Sequence, residues 1–242
     1  MPVLLKQNNP TSTLALWQIT ESEAELRRLV TADDARGADR LGCAARRTER
    51  LAWRAALRTI IPESAVGYNA LGAPVLNPAG TRHLPGASPS GPAGHCPGRP
   101  DNLPAFLSAA HTQGYAAVIV SDRPCAIDIE RRDRDFSRAT PRYISEAESR
   151  LPGADHPAFA AIAWCAKETL YKQAAVPGLD FLHDLRLISL DPARGTVTAS
   201  VARAAEAVRR MAAAGPGPAR GPVTLELPFL LTDDLCIVYT PA

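Results

Sequence analysis

Lysine is almost missing from this chain. Of 27 basic residues, only Lys6, Lys167 and Lys172 are lysines. Arginine is a planar, permanently charged fork and lysine a compact point charge on a flexible stem, so the two do not replace one another at a tight site. Two of the three lysines fall in one run, Trp164-Cys165-Ala166-Lys167-Glu168-Thr169-Leu170-Tyr171-Lys172, which marks a place where a compact ammonium is needed. Aromatic residues are scarce as well, at 5%. No stretch approaches the roughly 20 apolar residues of a membrane span, so no membrane partner is expected. The run Met1 to Asn9 lacks a basic lead followed by an apolar core and does not read as a signal peptide. The five cysteines are odd in number and contain no Cys-x-x-Cys pair. That pattern argues against a zinc site or disulfide framework and for free thiols in the cytoplasm. A net charge of +2 argues against a nucleic-acid binder held by a general positive field.

What is present is enough chain, 242 residues, for one large domain or two small ones with a real core. Thr20-Glu21-Ser22-Glu23 has the form of a helix capping box and predicts a helix to about Val30. Leu41, Ala44, Ala45, Leu51, Ala52 and Ala55 then share one helical stripe, ending near Ile61 before Pro62. The opposite face carries Arg46, Arg47, Arg50, Arg54 and Arg58; a solvated face is the ordinary reading of such a run. Residues 77–104 are dense in Pro and Gly and predict a long irregular loop, either a functional lid or, as favoured here, an insertion. Tyr115–Val120 and Cys125–Glu130, separated by Ser121-Asp122-Arg123-Pro124, read as a β-hairpin. A helix follows over about Pro157–Ala174. Leu185–Leu190 and Thr196–Val201 read as strands, 202–213 as an Ala/Arg helix, Gly215–Pro222 as a loop, and Val223–Leu227 and Leu235–Thr240 as a closing pair of strands. Strands and helices do not alternate regularly, which points to α+β rather than a doubly wound sheet.

Three fragments carry candidate chemistry. In Asp128-Ile129-Glu130 the two acids occupy positions i and i+2 of a strand and share a face, with Ile129 turned the other way into the core. Paired hard oxygen donors suit Mg²⁺, which commonly takes one or two carboxylates plus phosphate oxygens; a solvated strand edge is the plainer alternative. Glu168 and Lys172 are spaced i, i+4 and share a helix face, with Trp164 one turn earlier on the same side. The pair is either a helix-stabilising ion pair worth about 0.3–0.5 kcal/mol or a third carboxylate beside a phosphate-neutralising ammonium. Lys167 points about 100° away around the helix. His111, in Ser108-Ala109-Ala110-His111, is either structural or part of the same constellation.

The order of these pieces, Ser-x-x-His, then Ala-Ile-Asp-Ile-Glu, then Trp-x-x-Lys-Glu-x-x-x-Lys, resembles the 4'-phosphopantetheinyl transferases of the surfactin-synthetase-activating type, within the holo-carrier-protein synthase superfamily. Arg46-Arg47-Thr48-Glu49-Arg50 and Arg54 look like that family's basic helix, which reaches the 3'-phosphate of coenzyme A, and Leu71-Gly72-Ala73-Pro74 looks like its Gly-Lys-Pro turn beside the adenine. The chain departs from the pattern at Ala73, where the family has lysine, at Ala110, where a hydroxyl is usual, and in the length of the Pro/Gly loop. All three departures touch nucleotide binding.

The resemblance implies an α+β fold of two similar halves in a pseudo-twofold arrangement, divided here as 1–122 and 123–242. The first half, through Arg47, Arg54, Gly72, Pro74, Ser108 and His111, would hold the 3'-phosphoadenosine part of coenzyme A. The second half, through Asp128, Glu130 and Glu168, would hold Mg²⁺, with Lys172 against the phosphates. It implies transfer of the phosphopantetheine arm to a serine of an apo acyl or peptidyl carrier protein by a monomer, releasing 3',5'-ADP, with Glu168 or a Glu130-held water as base. A Mg²⁺-dependent diphosphate hydrolase using the same carboxylates, and a non-catalytic carrier-protein or coenzyme A binder, are the alternatives.

Overall fold

The computed structural model describes residues 3–77, 106–203 and 221–241. Apart from Asn77, which ends a strand, the expected loop at 77–104 lies outside the described residues. So do most of the helix expected over 202–213 and of the loop at Gly215–Pro222. The chain divides into two units, Met1–Pro124 and Cys125–Pro241.

In the first unit the chain runs β1 (Val3–Asn8), β2 (Ser12–Gln18), α1 (Glu23–Arg28), α2 (Ala32–Asp39), α3 (Ala44–Arg58), β3 (Ala65–Tyr68), β4 (Pro74–Asn77), β5 (Phe106–Thr112) and β6 (Tyr115–Ser121). One antiparallel sheet has the order β1-β2-β6-β5, and β3-β4 is a separate hairpin. β1 alternates half-buried and exposed residues, as suits an edge strand, whereas every residue of β6 is buried at the sheet's centre. α3 lies on this sheet through Leu51, Ala52, Ala55 and Ala56, which pack with Trp17, Val118 and Val120. The capping box is real but starts two residues later than its sequence reading. Ser22 Oγ accepts from Glu25 N, and the Glu25 carboxylate accepts from Ser22 N. α2, started by Thr31 accepting from Asp34 N, was hidden because eight residues carry too little periodicity.

The second unit runs β7 (Ile127–Arg131), α4 (Phe159–Ala174), β8 (Leu185–Asp191), β9 (Thr196–Val201), β10 (Val223–Leu231) and β11 (Leu235–Tyr239). Its five strands form one antiparallel sheet, β7-β11-β10-β9-β8. α4 covers the face that holds Val197, Ala199, Cys236 and Val238, packing Ile162, Ala166 and Leu170 into one core with them. The larger of these, the Val, Ile and Leu side chains, contribute about 1.5–3 kcal/mol each when fully buried.

The hairpin expected between Tyr115–Val120 and Cys125–Glu130 does not form. Both edges of β6 are already taken, by β2 on one side and β5 on the other, so no hydrogen-bonding edge remains for β7. β7 pairs instead with β11, with Asp128 opposite Val238 and Glu130 opposite Cys236. The mixed, mostly antiparallel architecture is the α+β class read from the sequence. Among the described residues no helix is long and apolar enough to cross a membrane.

Candidate functional site

In the second unit the strand alternation decides which side chains meet α4. Ile127 and Ile129 are 0% and 1% exposed on one face of β7, and Asp128 and Glu130 occupy the other. The acid face is the one under α4. Cys165 Sγ donates to the Cys236 carbonyl and Thr169 Oγ1 to the Val238 carbonyl, and these two residues lie opposite Glu130 and Asp128. The acids are therefore enclosed between strand and helix rather than left at a solvated edge.

Lys172 Nζ lies 2.8 Å from Asp128 Oδ1 and donates to the Ile127 carbonyl, also at 2.8 Å. Glu130 is ion-paired with Arg134, which returns from the turn after β7. Burial pushes the Glu168 carboxyl above the usual range. Asp128 and Glu130 push it further, while Lys172 and Arg134 pull it back. Asp128, Glu130, Glu168 and Lys172 are thus brought within electrostatic reach of one another. Arg134 was missed, because its link to Glu130 crosses a turn and leaves no periodic signal.

Lys167 serves a different end. It is wholly buried, 2.7 Å from Glu148 Oε1, and donates to the Phe181 carbonyl at 2.7 Å. Glu148 also accepts from Leu187 N and from the Ser145 amide and hydroxyl. Burial alone would raise the Glu148 carboxyl, but Lys167 and those donors outweigh it and hold it below the usual range. This pair ties α4 to β8 and to the turn at Ser145. A groove of about 680 Å³ lies alongside it, lined by Ile144, Ser145, Glu148, Leu182, Arg186 and Leu187. The groove holds none of the residues singled out for chemistry, so the acid cluster between β7 and α4 is the better candidate.

In the first unit the predicted residues are more dispersed. Arg47 donates to Glu23 Oε2 at 3.0 Å and to the Leu41 carbonyl. Arg54 is 2% exposed; it faces Asp34 at 3.3 Å, donates to Tyr68 Oη and lies 4.1 Å from the Trp53 ring centroid. Gly72 has φ +78°, in the region that favours glycine, and closes a turn in which Asn69 Oδ1 accepts from Leu71 N and Ala73 N. Pro74 opens β4 opposite Tyr68. Ser108 and His111, three residues apart on β5, fall on opposite faces of the sheet. His111 Nδ1 is 3.2 Å from Glu49 of α3, a partner the sequence reading did not name.

The donor chemistry of Asp128, Glu130 and Glu168 fits a hard divalent cation such as Mg²⁺, and their mutual repulsion is what such an ion would relieve. Among the described residues, however, no three His, Cys, Asp or Glu side chains converge as a ready-made metal site. Lys172 and Arg134 supply the counter-charge instead.

Residues 124–211, just over a third of the chain, match the family described as the 4'-phosphopantetheinyl transferase superfamily. The matched stretch contains β7, α4, β8 and β9 and all of the acid cluster. No curated protein matches the chain.

Proposed function

We propose that this protein transfers the 4'-phosphopantetheine arm of coenzyme A to a serine of an apo carrier protein, as transferases of the surfactin-synthetase-activating type do. The observation that carries the reading is the meeting of Asp128 and Glu130 of β7 with Lys172 and Glu168 of α4, inside the stretch that matches the superfamily. The carrier serine Oγ attacks the phosphorus that bears the pantetheine arm. The bond from that phosphorus to the bridging oxygen breaks, and 3',5'-ADP leaves. Such a step needs positioning and charge neutralisation more than covalent help.

Asp128, Glu130 and Glu168 would hold Mg²⁺, which when bound supplies charge neutralisation on the diphosphate. Lys172 presents a compact charge to the developing anion. Glu168, which shares a face of α4 with Lys172, and a water held by Glu130 are the two candidates for accepting the serine proton. Arg47, Gly72, Pro74 and His111 are assigned to the nucleotide end; Ser108, buried on the face of β5 opposite His111, is not. Arg54 is assigned to supporting Tyr68 from beneath, since its guanidinium is enclosed.

The test is mass spectrometry of apo acyl and peptidyl carrier proteins incubated with the protein, coenzyme A and Mg²⁺. The reading predicts a carrier serine that gains the phosphopantetheine mass. Breakdown of coenzyme A without any carrier would instead establish a diphosphate hydrolase. Binding without either product would reduce the protein to a non-catalytic binder.

A further inference from the structure

Glu130 and Arg134 differ in how deeply they sit. The Glu130 side chain is 13% exposed and that of Arg134 is 40% exposed, so the acid is enclosed and its counter-cation stands at the surface. The guanidinium rests between two rings, 5.0 Å from Phe136 and 5.3 Å from Trp164. Trp164 is one helical turn before Glu168 on α4. Arg134 therefore bridges the acid of β7 to the aromatic shelf of α4, and it also lies close enough to Glu168 to lower that carboxyl's proton affinity. The neighbouring arginines of the same turn have other tasks. Arg131 lies 2.6 Å from Asp133, and Arg132 donates to the Thr232 carbonyl.

Lys172 is poorly placed to leave its acid, since it also donates to the Ile127 carbonyl. Arg134 can swing into water at little cost, because cation–aromatic contacts at exposed sites are weak. We infer that Arg134 is a resident counter-cation of the acid cluster, which holds Glu130 in place and competes with a divalent metal ion for it. The inference rests on the proposed Mg²⁺ role of Glu130. It adds that loading this site requires Glu130 to exchange one cation for another.

Mn²⁺ serves as the probe. The whole chain is titrated with Mn²⁺ in the absence of coenzyme A, and the free ion is followed by electron paramagnetic resonance. Arg134→Gln is expected to bind Mn²⁺ about two- to fivefold more tightly than the wild type, the range expected for loss of one partly exposed ion pair. Arg132→Gln removes the same charge from the same turn and is expected to leave the affinity unchanged. Unchanged or weaker binding by Arg134→Gln, or an equal gain in Arg132→Gln, would overturn the competition. Asp128→Ala separates the two levels. Mn²⁺ binding that survives this variant, or a wild type that binds no Mn²⁺, refutes the metal site itself and the competition with it.

Discussion

Both units place one long helix on an antiparallel sheet, and both bury a cation of that helix against an acid from another element. In the first unit, Arg54 of α3 faces Asp34 of α2. In the second, Lys167 of α4 faces Glu148. The two pairs are satisfied to different degrees. Lys167 fits between a carboxylate and a carbonyl, each at 2.7 Å. Arg54 has five donors to place and leaves Nε and Nη1 without a hydrogen-bond partner. A compact ammonium can be buried with its few donors met, whereas a guanidinium is harder to satisfy. All three lysines of the chain donate to a backbone carbonyl, of Thr59, Phe181 or Ile127. Lys167 and Lys172 each add a carboxylate to the carbonyl, at 2.7 Å and 2.8 Å, so one compact ammonium meets two acceptors at once.

The comparison is broken most severely by removing each buried cation. Lys167→Met leaves the Glu148 charge buried without its partner and is expected to cost about 3–5 kcal/mol in urea denaturation. Glu148→Gln combined with Lys167→Met recovers part of that loss. Arg54→Met is expected to cost less, about 2 kcal/mol, because donors that were already unsatisfied leave with it. An Arg54 cost above the Lys167 cost would reverse the argument.

Glu168 and Glu148, an acid of α4 and an acid ion-paired to α4, are shifted in opposite directions. The proton affinity of Glu168 is raised in the folded state, so its contribution to stability is full at acidic pH and is lost as pH rises through its raised pKa. Glu168→Gln escapes that loss. Its unfolding midpoint should exceed that of the wild type by a margin that grows from acid to neutral pH, and a margin that shrinks over that range would refute the assignment. Glu148 is held low and behaves oppositely: its stabilisation is present at neutral pH and fades as pH falls through its depressed pKa.

The smallest expected effect concerns how the two helices end. α3 ends in a right-handed residue, Thr59, whereas α4 ends in Ala175 at φ 52°. A left-handed alanine carries a penalty that glycine does not. Ala175→Gly should raise stability by about 1 kcal/mol, measured by thermal unfolding, and no gain would show that the C-terminal turn of α4 relaxes elsewhere.

How much of this was legible in the sequence depended on range. α3, α4 and the strands from Leu185 onward announce themselves by local periodicity; spacing gives Asp128 with Glu130 and Glu168 with Lys172 as two pairs, and only the family resemblance joins them. The partner of β7 could not be read locally, because it comes from β11, with Asp128 paired to Val238. What excludes β6 as that partner is the occupation of its edges by β2 and β5, a property of the folded sheet. Glu148 opens a short 3-10 turn, Glu148–Arg150, whose local bonds to Ser145 say nothing of Lys167, the distant partner it meets only in the folded unit. Ser108 and His111 looked like one motif, yet a spacing of three in a strand puts them on opposite faces.

The central claim is that the cluster between β7 and α4 performs the transfer. Its most direct test is mass spectrometry of one apo carrier protein with coenzyme A and Mg²⁺, comparing the wild type with Asp128→Ala and Glu168→Ala, each verified as folded by circular dichroism. The account predicts a phosphopantetheine-modified serine with the wild type and none with either variant. Full modification by either folded variant would contradict it.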